Sequence, residues 1–279
     1  MVLNIFWQDM KKCFKEKYIY IAIIVSAIIL LCSNVYEESG GKSYSVLTAV
    51  LNLDVKAIFA ESRRLSVQEV MQATGRSRMS MFAPMLTLIP LIPILVSERN
   101  KGALRFQIFR TGKTAYIIGK FLTTVVIGGI VLLGGYAVFA GFVNIFYTKA
   151  SPEIIEQFMI TDDVYRWSGW FVYGAFSAVG GYLFTILIDN TYLIYSLPFI
   201  VNYLILTLVD RLSVNSEGFT IGKFVINPVT SFDTMSIVYA TSFEDMYWAL
   251  DTVIIQILFV IATVATWFIV VNKKTDCGV

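Results

Sequence analysis

Residues 121–147 read FLTTVVIGGIVLLGGYAVFAGFVNIFY, a run of 27 residues without a single charged side chain. An apolar run of 18 or more residues is typical of a helix that crosses the hydrocarbon core of a bilayer. The whole chain has this character: 57% of its 279 residues are apolar, 15% are charged, and the mean hydropathy is +0.69. A soluble globular protein is closer to half apolar and a quarter charged. The composition therefore predicts a membrane protein.

Six such runs occur in the chain, at about 18–36, 79–96, 121–147, 169–188, 192–209 and 248–271. We therefore predict an all-α membrane protein in which residues 18–279 form a bundle of six transmembrane helices. In the third and fourth runs, small residues four apart predict close packing between helices. These pairs are Ala137/Gly141, Gly174/Ala178 and Ser177/Gly181.

Residues 1–17, ahead of the first run, have an amphipathic pattern. Apolar side chains recur at spacings of three and four along one helix face, namely Leu3, Phe6, Trp7, Met10 and Phe14. Charged side chains fall largely on the opposite face, namely Asp9, Lys12, Lys15 and Glu16. The pattern predicts an interfacial helix in the cytoplasmic headgroup layer. Such a helix would serve either as a simple anchor or as a contact surface for a partner.

The distribution of charge predicts the orientation of the chain, because basic residues favour the cytoplasmic side of a membrane. With both termini in the cytoplasm, the segments on that side carry a net charge of +7 and the outer segments −4. The loop 97–120 is then cytoplasmic, and the segment 37–78 lies outside.

Several kinds of site are excluded by the residues themselves. The chain has no histidine, so neither His-based catalysis nor a His metal site is possible. Cys13, Cys32 and Cys277 are too far apart in sequence to form a zinc or redox motif. Gly112-Lys113-Thr114 resembles the end of a phosphate-binding loop, but Gln107 occupies the required glycine position. We therefore expect no catalytic residue, metal, cofactor or nucleic-acid surface in this chain.

The loop 97–120 carries six basic residues and one acidic residue. Within it, residues 102–110 can form a short helix, which Thr111-Gly112 would end. A short helix between two membrane helices could act as a lever for a docked partner, although the composition also fits a simple positive-inside loop. The apolar side chains that would anchor a partner are Leu104, Phe106, Ile108 and Phe109, with Arg105 and Arg110 at the rim.

Short motifs around this loop carry a family resemblance. They are Glu98-Arg99-x-x-Gly102, Gly119-Lys120, the turn Asp189-Asn190-Thr191, and Asn227-Pro228. Together with the six-run layout and the amphipathic start, they resemble the permease subunits of type 2 ABC exporters. One departure is Thr111-Gly112, which stands where that family often has a proline.

The resemblance implies that Glu98, Gly102 and the short helix after them couple the chain to a separate ATPase subunit. ATP and Mg would bind to that subunit, and two permease chains, identical or similar, would assemble with two ATPase chains. The implied function is export of amphipathic peptides, toxins or hydrophobic drugs across a bacterial plasma membrane. The alternative is a non-transport membrane sensor or immunity protein that binds a ligand without ATP.

Two of the apolar runs have features of a transport route. The second contains three prolines, which remove backbone hydrogen bonds and predict kinks, although ordinary membrane helices also tolerate kinks. In the fifth, Asn202 would be costly in hydrocarbon, so it should face a cavity or hydrogen-bond to another helix. The residues predicted to line the pathway are Pro90, Pro93, Tyr195, Phe199, Asn202 and Tyr203.

The predicted orientation can be tested with single cysteines in a cysteine-free background. Lys42→Cys should react with an impermeant thiol reagent in intact cells, because 37–78 is predicted to lie outside. Lys101→Cys should react only after permeabilisation. Labelling of Lys101→Cys alone in intact cells would establish the opposite orientation.

Overall fold

The computed structural model describes residues 1–37, 43–51, 67–74, 79–100, 103–147, 160–188, 190–213, 219–221, 224–226 and 250–276. This part of the chain is mostly helical, which confirms the helical character of the predicted fold. Two short antiparallel hairpins accompany the helices. Asp189 of the predicted turn and the Asn227-Pro228 motif lie outside the described residues.

The elements follow one another in this order. The first third of the chain contains α1 (Val2–Lys15), α2 (Lys17–Leu31), β1 (Asn34–Glu37), β2 (Ser43–Ser45), α3 (Val46–Leu51), α4 (Val67–Thr74), α5 (Met79–Leu88) and α6 (Ile92–Asn100). The remainder contains α7 (Ala103–Thr111), α8 (Lys113–Phe146), α9 (Ile160–Leu187), α10 (Thr191–Ser213), β3 (Phe219–Ile221), β4 (Phe224–Ile226) and α11 (Leu250–Asp276).

In the described part of the chain, α8 is long and apolar enough to cross a membrane, and the bent pair α5–α6 would be a second crossing if it forms one span. Three further apolar stretches are shorter, at Lys17–Leu31, Thr191–Leu204 and Val260–Val270. The six predicted runs fall on α2, α5–α6, α8, α9, α10 and α11. The first run was expected to reach residue 36, whereas α2 ends at Leu31 and Asn34–Glu37 pairs with Ser43–Ser45 as a hairpin. Helices α8 and α9 begin before their predicted runs, at Lys113 and Ile160.

The prolines of the second run have different effects. Pro84 lies inside α5 without ending it. The helix stops at Leu88 and resumes at Ile92, so that its two halves meet at an angle of 48°. Pro90 lies in this break, where it has no N–H to donate to the preceding turn. The predicted kink is therefore present, and it is located at Pro90.

Among the described helices, α8 and α9 form the most extensive interface, and glycines allow their close approach. A Cβ atom on Gly128 would collide with the Cβ of Ala178 and with the backbone of Gly174, and one on Gly174 would collide with the backbone of Gly128. Close packing at Gly174/Ala178 is thus confirmed, and Gly181 similarly packs against Leu88 and Pro84 of α5. At Ala137/Gly141 no such packing is present within the described chain, since Ala137 is exposed and no described atom lies within 4 Å of a Cβ built on Gly141.

These contacts predict that Gly174→Leu destabilises the bundle by about 1–3 kcal/mol, because overpacking forces two backbones apart. Gly141→Leu makes the same chemical change on an open face and should leave the unfolding temperature nearly unchanged. Thermal unfolding of both purified variants in one detergent measures the difference. Equal losses of stability would contradict the close approach at Gly128 and Gly174.

Candidate functional site

Four charged side chains from three helices meet in one buried cluster. Helix α1 contributes Asp9 and Lys12, α6 contributes Glu98, and α8 contributes Lys120. The Lys120 Nζ atom lies 2.6 Å from Glu98 Oε2 and 2.8 Å from Asp9 Oδ2. The Lys12 Nζ atom lies 3.0 Å from Glu98 Oε1 and 3.4 Å from Asp9 Oδ1. Each ammonium thus bridges both carboxylates, and the four charges sum to zero.

Three of the four side chains in the cluster are shielded from solvent. Asp9, Glu98 and Lys120 are buried, with Lys120 only 3% exposed, whereas Lys12 is half-exposed at the edge. A buried carboxylate without a cation would be strongly unfavourable, because burial removes its hydration. The cluster therefore joins α1, α6 and α8, since removing α6 or α8 would leave an uncompensated buried charge, and removing α1 would take one ion-pair partner from Glu98 and one from Lys120.

Local sequence explains how α1 comes close enough to α8. Ile5, Asp9 and Cys13 are spaced by four residues and lie on the buried face of α1. Gly119 of α8 faces this helix, and a Cβ atom there would lie 2.9 Å from Ile5 Cγ2. In the Gly119-Lys120 pair, the glycine thus admits α1, and the lysine neutralises the carboxylate that α1 brings.

Two neutral side chains surround Glu98. The Tyr116 hydroxyl of α8 donates to Glu98 Oε2 at 3.4 Å, and Gln107 Nε2 of α7 donates to Glu98 Oε1 at 3.5 Å. Tyr116 also packs on Trp267 of α11, with ring centroids 6.1 Å apart. The short helix α7 is therefore joined to the cluster through Gln107.

The electrostatic setting favours a structural role for this cluster over covalent chemistry. Burial alone would lower the pKa of Lys12, but hydrogen bonds to Glu98 and Asp9 and the charges of both carboxylates outweigh it and raise the pKa. Lys12 therefore stays protonated at neutral pH. Burial raises the pKa of the neighbouring Cys13 thiol to about 12, so this thiol carries no nucleophilic thiolate near pH 7.

The short helix predicted at 102–110 is present as α7, one residue later than expected at each end. Gly112, with φ of 82°, separates α7 from α8, which confirms the break expected at Thr111-Gly112. Phe106 and Phe109 are 79% and 95% exposed, and Arg110 is also exposed. Gly102 and the side chains of Leu104 and Arg105 lie outside what the structure describes.

Two of the residues predicted to couple the chain to a partner have buried side chains. Ile108 is only 7% exposed, so it packs inward and cannot anchor a partner on the surface of α7. Glu98 is buried in the charge cluster, so its side chain acts within the protein rather than at the surface. Among the described side chains of α7, the exposed apolar ones are therefore the two phenylalanines.

The residues predicted to line a pathway lie on adjoining helices. Phe199 of α10 stacks on Phe82 of α5 at a centroid distance of 5.1 Å, and on Tyr203 at 6.4 Å. Asn202 Nδ2 donates to the backbone oxygen of Met81 at 3.5 Å, so the interhelical hydrogen bond expected as an alternative is present. Tyr195 is half-buried, Pro90 is buried, and Pro93 lies in the first turn of α6.

Sequence reasoning missed the charge cluster. Asp9 and Lys12 were expected on a solvated face of α1, yet Asp9 is buried. The signal was the spacing Ile5–Asp9–Cys13, which places the acid on a face with two apolar residues. Its buried partner Lys120 lies 111 positions further along the chain, and this pairing leaves no mark on a single sequence.

In the described ranges, no group of three or more His, Cys, Asp or Glu side chains could hold a metal ion. No protein-family model matches the chain, and no curated protein matches it. Evidence for the function of this chain therefore comes from the geometry of the cluster and of α7.

Replacing the buried cation should expose the role of the cluster. Lys120→Met leaves one lysine for two buried carboxylates and should cost about 3–5 kcal/mol of unfolding free energy. Adding Glu98→Gln should recover part of this loss, because the pair is coupled. Lys15→Met removes an exposed lysine from α1 and should have little effect. Denaturant unfolding in detergent measures all three, and an equal loss for Lys15→Met would contradict the structural role.

Proposed function

We propose that this chain is the membrane-spanning permease subunit of an ATP-driven exporter of the ABC type. The observation that carries the proposal is the exposure of Phe106 and Phe109 on a short helix that is held next to the charge cluster. Aromatic side chains that are almost fully exposed are typical of contact surfaces. Because α7 lies between α6 and the long helix α8, force applied to α7 would reach both of them.

A location in the membrane is supported by exposed aliphatic side chains on several helices. They include Ile21, Ile24 and Ile28 on α2, Ile200 and Leu204 on α10, and Ile257, Leu258 and Ile261 on α11. Water would not favour so much exposed apolar surface, whereas lipid chains would cover it. We propose that the six apolar runs cross a bacterial plasma membrane, with both termini in the cytoplasm.

The partner would be an ABC ATPase subunit that binds ATP and Mg and receives the face of α7. Two such subunits would act on two permease chains, the second being another copy of this chain or a similar one. The proposed cargo is an amphipathic peptide, a toxin or a hydrophobic drug. Its route would follow the aromatic surface between the bent α5–α6 pair and α10, where Phe82, Phe199 and Tyr203 stack.

The proposal predicts that Phe109→Ala or Phe106→Ala weakens binding of the partner ATPase about 30-fold, because a buried aromatic anchor contributes about 2 kcal/mol. Arg110→Ala at the rim should do less. Phe146→Ala makes the same change in a partly exposed phenylalanine at the far end of α8 and should not affect binding. Co-purification with an ABC ATPase, if one is encoded beside this chain, measures association.

A different outcome would contradict the coupling role of α7. If wild-type protein in detergent carries no ATPase, and both phenylalanine variants retain the protein's activity in cells, α7 is not a coupling surface. The alternative function, a sensor or immunity protein that works without ATP, would then be favoured.

A further inference from the structure

Helix α1 has three faces, and the charge cluster uses only one of them. Ile5, Asp9 and Cys13 pack on the protein. The exposed side chains fall into two neighbouring stripes along the outside of the helix. One stripe is apolar, with Leu3, Trp7 and Phe14, and the other is polar, with Asn4, Gln8, Lys11 and Lys15.

The structure separates the charges of α1 by sign. Asp9 is the one acidic residue of Val2–Lys15, and it is enclosed in the cluster, where each carboxylate oxygen faces a lysine amine. Lys11 and Lys15 remain fully on the outside. Within Val2–Lys15 the exposed charged side chains are therefore all lysines, and the exposed Glu16 follows at the end of the helix.

We infer that the outer surface of α1 is a docking site for anionic lipid headgroups, with Lys11 and Lys15 as the phosphate contacts. This inference rests on the membrane location proposed above and is independent of the partner ATPase. The occupant is a bilayer containing a lipid such as phosphatidylglycerol. Each lysine close to such a surface strengthens its attraction to anionic lipid about fivefold.

The apolar stripe indicates a lipid surface rather than an acidic protein. Trp7 and Leu3 are exposed directly beside the lysine stripe, which is the arrangement of a helix lying at the headgroup boundary. The next helix, α2, continues this apolar surface along the chain with exposed Tyr20, Ile21 and Ile24. A helix held there by Asp9 would keep its lysines at the depth of the phosphates.

The test places the full chain in nanodiscs made of equal parts phosphatidylglycerol and phosphatidylcholine, with only one of the two lipids brominated. Bromine quenches tryptophan fluorescence at short range, and subtracting the Trp7→Phe protein isolates the signal of Trp7. The wild type should be quenched more by brominated phosphatidylglycerol than by brominated phosphatidylcholine. The preference should fall at high salt, since the lysines are exposed.

Variants identify the residues responsible. The double variant Lys11→Gln, Lys15→Gln should lose the preference for phosphatidylglycerol, and Lys11→Arg, Lys15→Arg should keep it. Arg110→Gln removes an exposed positive charge from α7 and should leave the preference intact. An equal loss for Arg110→Gln, or an unchanged preference in the glutamine double variant, would overturn the inference. The inference would also be overturned if the glutamine double variant lost ATPase binding but kept its preference for phosphatidylglycerol.

The two proposals fail in different ways. Equal quenching by both brominated lipids would overturn the selectivity of α1 and leave the membrane location standing. Absence of quenching by either lipid would show that Trp7 does not lie at a bilayer, and the interfacial position of α1 would fall with the inference. Loss of ATPase association in the phenylalanine variants of α7 tests the proposed coupling, and it changes neither the lipid selectivity of α1 nor the position of Trp7.

Discussion

The ion pairs of Lys120 with Asp9 and Glu98 are the constraint on which the arrangement of α1, α6 and α8 depends. Two carboxylates and one ammonium are taken out of water at this point, and each needs the others to offset the loss of hydration. A buried charge tolerates little displacement of its partner. Helix α1, the end of the bent pair and the start of the long helix are therefore positioned by one requirement.

The same ion pairs fix the surroundings of the short helix α7. One end follows α6, the other meets α8 at Gly112, and Gln107 in its middle reaches Glu98. Its inward side is filled by Ile108, while Phe106 and Phe109 face outward. A partner that binds the phenylalanines would thus act on the cluster and, through Asp9, on α1. The proposed lipid contact of α1 lies at the other end of this connection.

Local signals in the sequence predicted much of this fold. The apolar runs, the bend at Pro90 and the break at Thr111-Gly112 depend on neighbouring residues, and all three are present in the structure. Asp9 and Ile108 were misplaced for a common reason. Amphipathic periodicity ranks residues by polarity, whereas the burial of Asp9 is decided by a cation that a distant helix supplies. The face of Ile108 is likewise set by packing between helices.

Hydrogen exchange of the backbone amides tests most directly whether the cluster unites these helices. In Lys120→Met, the amides of α1 and α6 should lose protection together, while those of α9, which packs on α8 through Gly174, should keep it. Lys15→Met should exchange like the wild type. Unchanged protection of α1 in Lys120→Met would contradict the central role of the cluster, because α1 would then be held in place by other contacts.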